Sequence, residues 1–142
     1  LLCSVARVVF DELGTQMQAA VDSHPGKSLV AARRRFRATG ESYVRFARKN
    51  QNLFLLAFGP YCQSEDHPKE ESKAWQLLVS TLNELDELGY IDPKIRPYAE
   101  ILSWSAIHGV STLVLDELLP DEAVEPLLDG IELSISKNRR DK

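Results

Sequence analysis

The sequence predicts an all-α fold, a helical bundle of about five long helices and one short one with a two-helix face for dimerisation. Three observations predict it. Apolar residues return at three- and four-residue spacing through most of the 142 residues. Glycine and proline clusters at His24-Pro25-Gly26, Gly59-Pro60 and Leu119-Pro120 cut that pattern into helix-sized pieces. No alternating strand pattern, glycine-rich phosphate loop or internal repeat interrupts it.

The opening run LLCSVARVVFDELG puts Leu2, Val5, Val9, Leu13, Met17, Ala20 and Val21 along one side of a helix that ends at His24-Pro25-Gly26. It starts inside the helical pattern, without an initiator methionine and without the basic leader of a signal peptide, so another domain is expected before it. Ser28 is placed to cap a second helix reaching to about Asn50. On that helix Leu29, Phe36, Tyr43, Phe46 and Ala47 fall on one side, and Arg34, Arg37, Glu41, Arg45 and Arg48 on the other. The arginines alternate with acid, which reads as a solvated face rather than a nucleic-acid surface. QNLFLLAFGPY follows as a brief helix laid across the core. In the polar loop CQSEDHPKEES, Cys62, Asp66 and His67 match no metal-ligand spacing. A third long helix, from about Lys69 to Leu88, carries Trp75, Leu78, Leu82 and Leu85 as a stripe and stops at Gly89.

The segment from Pro97 to Leu119 is apolar nearly all round. At 100° per residue, Ile101, Trp104, His108 and Leu115 line one face, Leu102, Ala106, Gly109 and Leu113 another, and Ile107, Val110 and Val114 much of the rest. Such a helix is expected to meet the core on one side and a partner chain on the other. Glycine inside a helix costs roughly 0.5–1 kcal/mol relative to alanine, so a close approach is expected at Gly109, from the last helix or a partner subunit. His108 needs a hydrogen-bond partner if buried. Pro120 and Asp121 open a last helix whose stripe is Val124, Leu128, Ile131 and Ile135, and KNRRDK forms a solvated tail.

Composition narrows the function classes. A formal charge of −4 with 44% hydrophobic and 27% charged residues is that of an ordinary globular chain. It disfavours phosphate binding by this chain, which needs clustered Lys and Arg. Two cysteines give no disulfide framework, so a reducing, cytoplasmic setting is expected. No apolar run is long enough to span a bilayer. No nucleophile with its base, acid–base pair or metal constellation stands out, so neither enzyme activity, metal nor cofactor is expected.

Several landmarks together resemble one family, the C-terminal regulatory domain of TetR-like transcriptional repressors, in the branch with a Trp…His-Gly motif. That motif is Trp104, His108 and Gly109 here. YVRFARKNQNLFLLAFGP is similar to the family's fifth and sixth helices, although Gln51 stands where proline is usual. LLCSVA resembles the start of the helix after the DNA-reading domain, and ELGYIDP the turn before the dimer helix.

The resemblance implies a regulator that binds an operator as a dimer through an N-terminal helix-turn-helix domain absent from this chain. Residues 1–142 would then be the ligand-binding and dimerisation domain, sensing a small apolar or aromatic effector that shifts the population between two dimer geometries. Phe10, Met17, Tyr43, Phe46, Phe54, Phe58, Trp75, Trp104 and His108 are the expected ligand-binding residues. Leu102, Ala106, Gly109, Leu113, Val124, Leu128, Ile131 and Ile135 are the expected dimer interface. Two other readings remain open: a helical dimerisation module without a ligand, in which His108 only bonds a neighbouring helix, and a helical haem protein using His108 as axial ligand.

Overall fold

The computed structural model describes residues 2–58 and 72–137, with residues 2–5 described by backbone alone. The Gly59-Pro60 breaker, Cys62, Asp66 and His67 lie outside the described residues, as does the tail beyond Lys137. Among the described residues six α-helices follow one another: α1 (Leu2–Asp22), α2 (Leu29–Lys49), α3 (Gln51–Ala57), α4 (Lys73–Glu87), α5 (Ala99–Leu115) and α6 (Val124–Ile135). Short 3-10 turns at Arg96–Tyr98 and Asp121–Ala123 lead into the last two. Among the described residues there is no strand, only an isolated bridge between Ile91 and Ser136.

Helix ends follow local chemistry. Ser28, in extended backbone, accepts the Ala31 N–H at 3.1 Å, and Ser72 does the same for Trp75. Each such cap is worth about 1 kcal/mol. The Ser72 cap sets the start of α4 at Lys73, four residues later than the apolar spacing suggests. Gly89 ends that helix in left-handed backbone at φ +77°. α5 stops at Leu115 rather than Leu119, because Leu118 N–H closes back on the Leu113 carbonyl and Glu117 N–H on that of Val114. That closure puts Glu117 at φ 60°, a conformation usually left to glycine.

α2 is the central element and packs on α1, α3, α4, α5 and α6. Its inward face forms two core clusters. One holds Leu13, Met17, Tyr43, Phe46, Phe54, Ile107 and Leu128, and the other Phe36, Leu78, Leu82, Leu85, Ile91 and Ile135. Trp104 and Ile131 pack against both.

Three expectations are corrected. Leu29 is on the surface rather than on the packed side of α2. The arginine side of α2 is no simple solvated face. Arg33 pairs with Glu132 and Arg37 with Glu125 and Asp129, on α6, while Arg48 reaches Asp121 and Arg35 reaches Glu84 on α4. The Arg33 and Arg37 pairs, partly exposed and so of small worth, add to the apolar contacts that hold α6 down on α2. In consequence the α6 stripe turns inward: Val124, Leu128 and Ile135 are buried in the chain's own core, and Ile131 is partly so. They are not an outward dimer face.

Close approaches occur at glycines other than Gly109. A Cβ on Gly14 would stand 2.8 Å from Lys73 Cβ, where α1 crosses α4. One on Gly40 would stand 2.9 Å from Leu128 Cδ2. A Cβ on Gly109 would meet nothing within 4 Å among the described residues beyond its own helix backbone, so α6 is not what approaches it.

Candidate effector cavity

The seam between the two core clusters holds a narrow, partly open cavity of about 40 Å³. Five helices supply its walls. Met17 comes from α1, Ala74 and Leu78 from α4, and Phe36, Arg37, Thr39, Gly40 and Tyr43 from α2. α5 contributes Ser103, Trp104 and Ile107, and α6 contributes Leu128, Ile131 and Glu132. The spacing follows from helix geometry: Phe36, Gly40 and Tyr43 are successive turns of one face of α2, as are Ser103 and Ile107 on α5. Gly40 leaves room for Leu128 and Ile107 to come down onto α2.

The polar groups on this wall are nearly all engaged. Arg37 is taken by Glu125 and Asp129, and burial of part of its guanidinium is outweighed by these partners, which raise its pKa above the usual value. Glu132 accepts from Arg33 at 2.7 Å and from the Tyr90 hydroxyl at 3.2 Å. Its bond raises the Arg33 pKa, and the Arg33 guanidinium also lies 5.2 Å from the Tyr90 ring centre. Thr39 donates to the Phe36 carbonyl at 2.6 Å. Ser103 differs: its hydroxyl is buried and has no hydrogen-bond partner.

Next to the cavity stands an aromatic cluster. The Tyr43 hydroxyl and His108 Nδ1 are 2.9 Å apart. Phe54 stacks on the imidazole at 5.6 Å between ring centres, Phe58 lies 5.0 Å from it, and Phe10 closes edge-on against Phe58. Burial lowers the His108 pKa and pushes that of Tyr43 up. A neutral imidazole accepts the Tyr43 O–H at Nδ1 in its Nε2–H tautomer and donates to the Tyr43 oxygen in the other, whereas a charged one could only donate there.

Of the residues expected to bind a ligand, Met17, Tyr43 and Trp104 are on the cavity wall. Phe46 and Phe54 are instead buried in the adjoining core, Phe10 and Phe58 pack against it partly buried, His108 is half-buried beside Tyr43, and Trp75 lies 5.4 Å from Trp104. Leu128 and Ile131, assigned from the sequence to the dimer, line the cavity from α6. Ser103, Gly40, Thr39 and Ile107 were not anticipated. The serine between Leu102 and Trp104 on α5 and the glycine inside α2 are the signals the sequence carries. Among the described residues no cluster of three or more His, Cys, Asp or Glu could hold a metal. No helix among them is long and apolar enough to cross a membrane.

Comparison with known proteins agrees with this architecture. A solved protein of unknown function from Rhodococcus sp. RHA1 superimposes with a TM-score of 0.78, at 24% identity, over 96% of this chain and 73% of its own. That likeness speaks to fold alone. No curated protein matches the chain in sequence. The family model described as tetracyclin repressor-like, C-terminal domain, matches residues 36–131, the span holding most of α2, all of α3 to α5 and much of α6. By that match the chain belongs to the tetracyclin repressor-like C-terminal domain family.

Proposed function

We propose that this chain is the effector-sensing and dimerising part of a transcription regulator, whose operator is read by a domain preceding α1. The cavity at the seam of the two core clusters carries the reading. Five of the six helices meet there, so a molecule lodged in it would touch α1, the helix leading to such a domain, through Met17. An effector would act by favouring the arrangement of α1 that accommodates it, and only to the extent that it binds that arrangement better. The effector expected is small and apolar or aromatic. At about 40 Å³ the cavity holds little more than water, whereas an apolar cavity of about 150 Å³ admits benzene, so binding must widen it. Met17, an unbranched side chain, and the half-buried Trp104 are the walls best able to yield.

The dimer is proposed through the outward sides of α5 and α6. Leu102, Ala106, Gly109 and Leu113 make one stripe on α5, with Leu113 43% exposed and open space over Gly109. α6 offers Leu127, Gly130 and Leu133 in place of its buried stripe. Two helices from each of two copies would form a four-helix interface. The Trp104, His108 and Gly109 motif supports placement in the branch that carries it.

A thermal-shift screen with small neutral aromatic compounds tests the sensing, because a ligand that binds only the folded chain raises its melting temperature. A compound that stabilises the wild type but not Ile107→Trp, which fills the cavity, supports the reading. Equal shifts in both proteins would contradict it.

A further inference from the structure

We infer that the effector of this cavity is a neutral, largely apolar molecule carrying one hydrogen-bond acceptor, which it places on the Ser103 hydroxyl. The inference rests on the effector reading above and goes beyond it to the chemistry of the ligand.

The Ser103 hydroxyl is the observation that carries it. The residue is 4% exposed, it lies on the cavity wall, and its Oγ has no partner. A serine within a helix ordinarily bonds the carbonyl one turn back, as Ser42 does to Ala38 at 2.8 Å. Ser103 does not, so a buried donor is left without a partner in a residue of the cavity lining. A buried unpaired hydroxyl is costly and seldom kept without a partner. An acceptor on a bound molecule would provide one.

The charges around the cavity exclude an ionic ligand. Arg37 is committed to Glu125 and Asp129, and Arg33 to Glu132. Among the described residues of the wall, no cation is left to meet a carboxylate or sulfonate. Glu132 is on the wall and would repel one. A cationic ligand gains little from Glu132, whose carboxylate already accepts from Arg33 and Tyr90. An ion desolvated here would go unpaired, and that penalty is large. The remaining lining is side chains such as Met17, Leu78, Ile107 and Leu128, which suit a hydrocarbon body.

Three probes of similar size separate the possibilities: acetophenone, isopropylbenzene and benzoate, each titrated calorimetrically into the chain. Wild type should bind acetophenone about two- to tenfold more tightly than isopropylbenzene, the ratio expected of one net hydrogen bond. Benzoate should give no heat of binding. Ser103→Ala should lose the preference for acetophenone while binding isopropylbenzene at least as well. Its melting temperature should be no lower than that of wild type, because the substitution removes an unpaired group. Ser111→Ala removes a second buried, unpaired hydroxyl that is not on the cavity wall, and it should keep the preference. A preference that survives Ser103→Ala, equal binding of the two neutral probes by wild type, or saturable binding of benzoate would each overturn the inference and leave the effector reading standing. Failure of all three to bind would overturn both.

Discussion

The Tyr43 hydroxyl meets His108 Nδ1 at 2.9 Å, tying α2 to α5 beside the cavity. Phe54 and Phe58 pack over the imidazole, so the bond is partly shielded from water. Replacing one partner leaves the other unpaired. His108→Ala is expected to cost about 1–3 kcal/mol and Tyr43→Phe about 0.5–1.5 kcal/mol, measured by denaturant unfolding. The double variant should cost less than the sum, since one bond is removed twice. Additive losses would mean the pair contributes nothing jointly.

Acid should weaken the fold through the same residue. Burial lowers the folded His108 pKa below its ordinary 6.5. The unfolded ring therefore takes up a proton at higher pH than the folded one, and protonation favours unfolding. The contribution is fully present above 6.5 and is lost as pH falls through the lower folded value. Tyr43 has the opposite sign: burial raises its pKa above 10, so its contribution is present below 10 and lost as pH rises beyond it. Melting curves from about pH 8 to about pH 5 should show wild type losing stability with acid and His108→Gln losing less. Identical slopes would contradict this.

Glycines in the helices should respond oppositely to alanine. Gly40→Ala would drive a methyl to 2.9 Å from Leu128 Cδ2 and 3.4 Å from Ile107 Cδ1. Overpacking of about 1–3 kcal/mol should outweigh the gain in helix propensity of about 1 kcal/mol. Gly109→Ala meets nothing within 4 Å among the described residues beyond its own helix backbone and should gain that propensity. If α5 pairs closely with its copy, the same change should loosen the dimer. Unfolding of dilute monomer and sedimentation equilibrium measure the two effects separately.

Exposure on α6 decides which charge breaks an interface and which breaks the fold. Leu133 is 53% exposed and Leu128 5%. Leu133→Arg should yield a folded monomer in sedimentation velocity with an unchanged helical circular dichroism spectrum. Leu128→Arg should instead unfold the chain, because it buries a charge with no partner. A dimeric Leu133→Arg would remove α6 from the interface.

The helices and their inward stripes are legible in the sequence because burial is periodic: Val9, Leu13, Met17 and Val21 on α1 are all buried. What a stripe faces is not legible. Val124, Leu128 and Ile135 read equally well as core or as interface, and the choice is made by the packing of α6 on α2 and α5, elements remote from it in the chain or folded back on it. The cavity is hidden for a related reason. It is a gap left where five helices fail to fill one seam, and no single helix carries its pattern. Gly109 drew attention in the sequence, yet the tight crossings are at Gly14 and Gly40, whose neighbours Lys73 and Leu128 are remote in the chain.

Met17 offers the most direct test of the sensing cavity. It is the only methionine in the sequence, it is 4% exposed, and it forms the α1 wall of the cavity. Labelled with carbon-13 at its methyl group, it gives one resonance from this sequence, read during titration with acetophenone or isopropylbenzene. An aromatic ring beside that methyl should shift it saturably, with the same midpoint as the calorimetric heat, and Ile107→Trp should abolish the shift. A Met17 resonance that stays in place while either probe binds would put the ligand elsewhere and contradict the account.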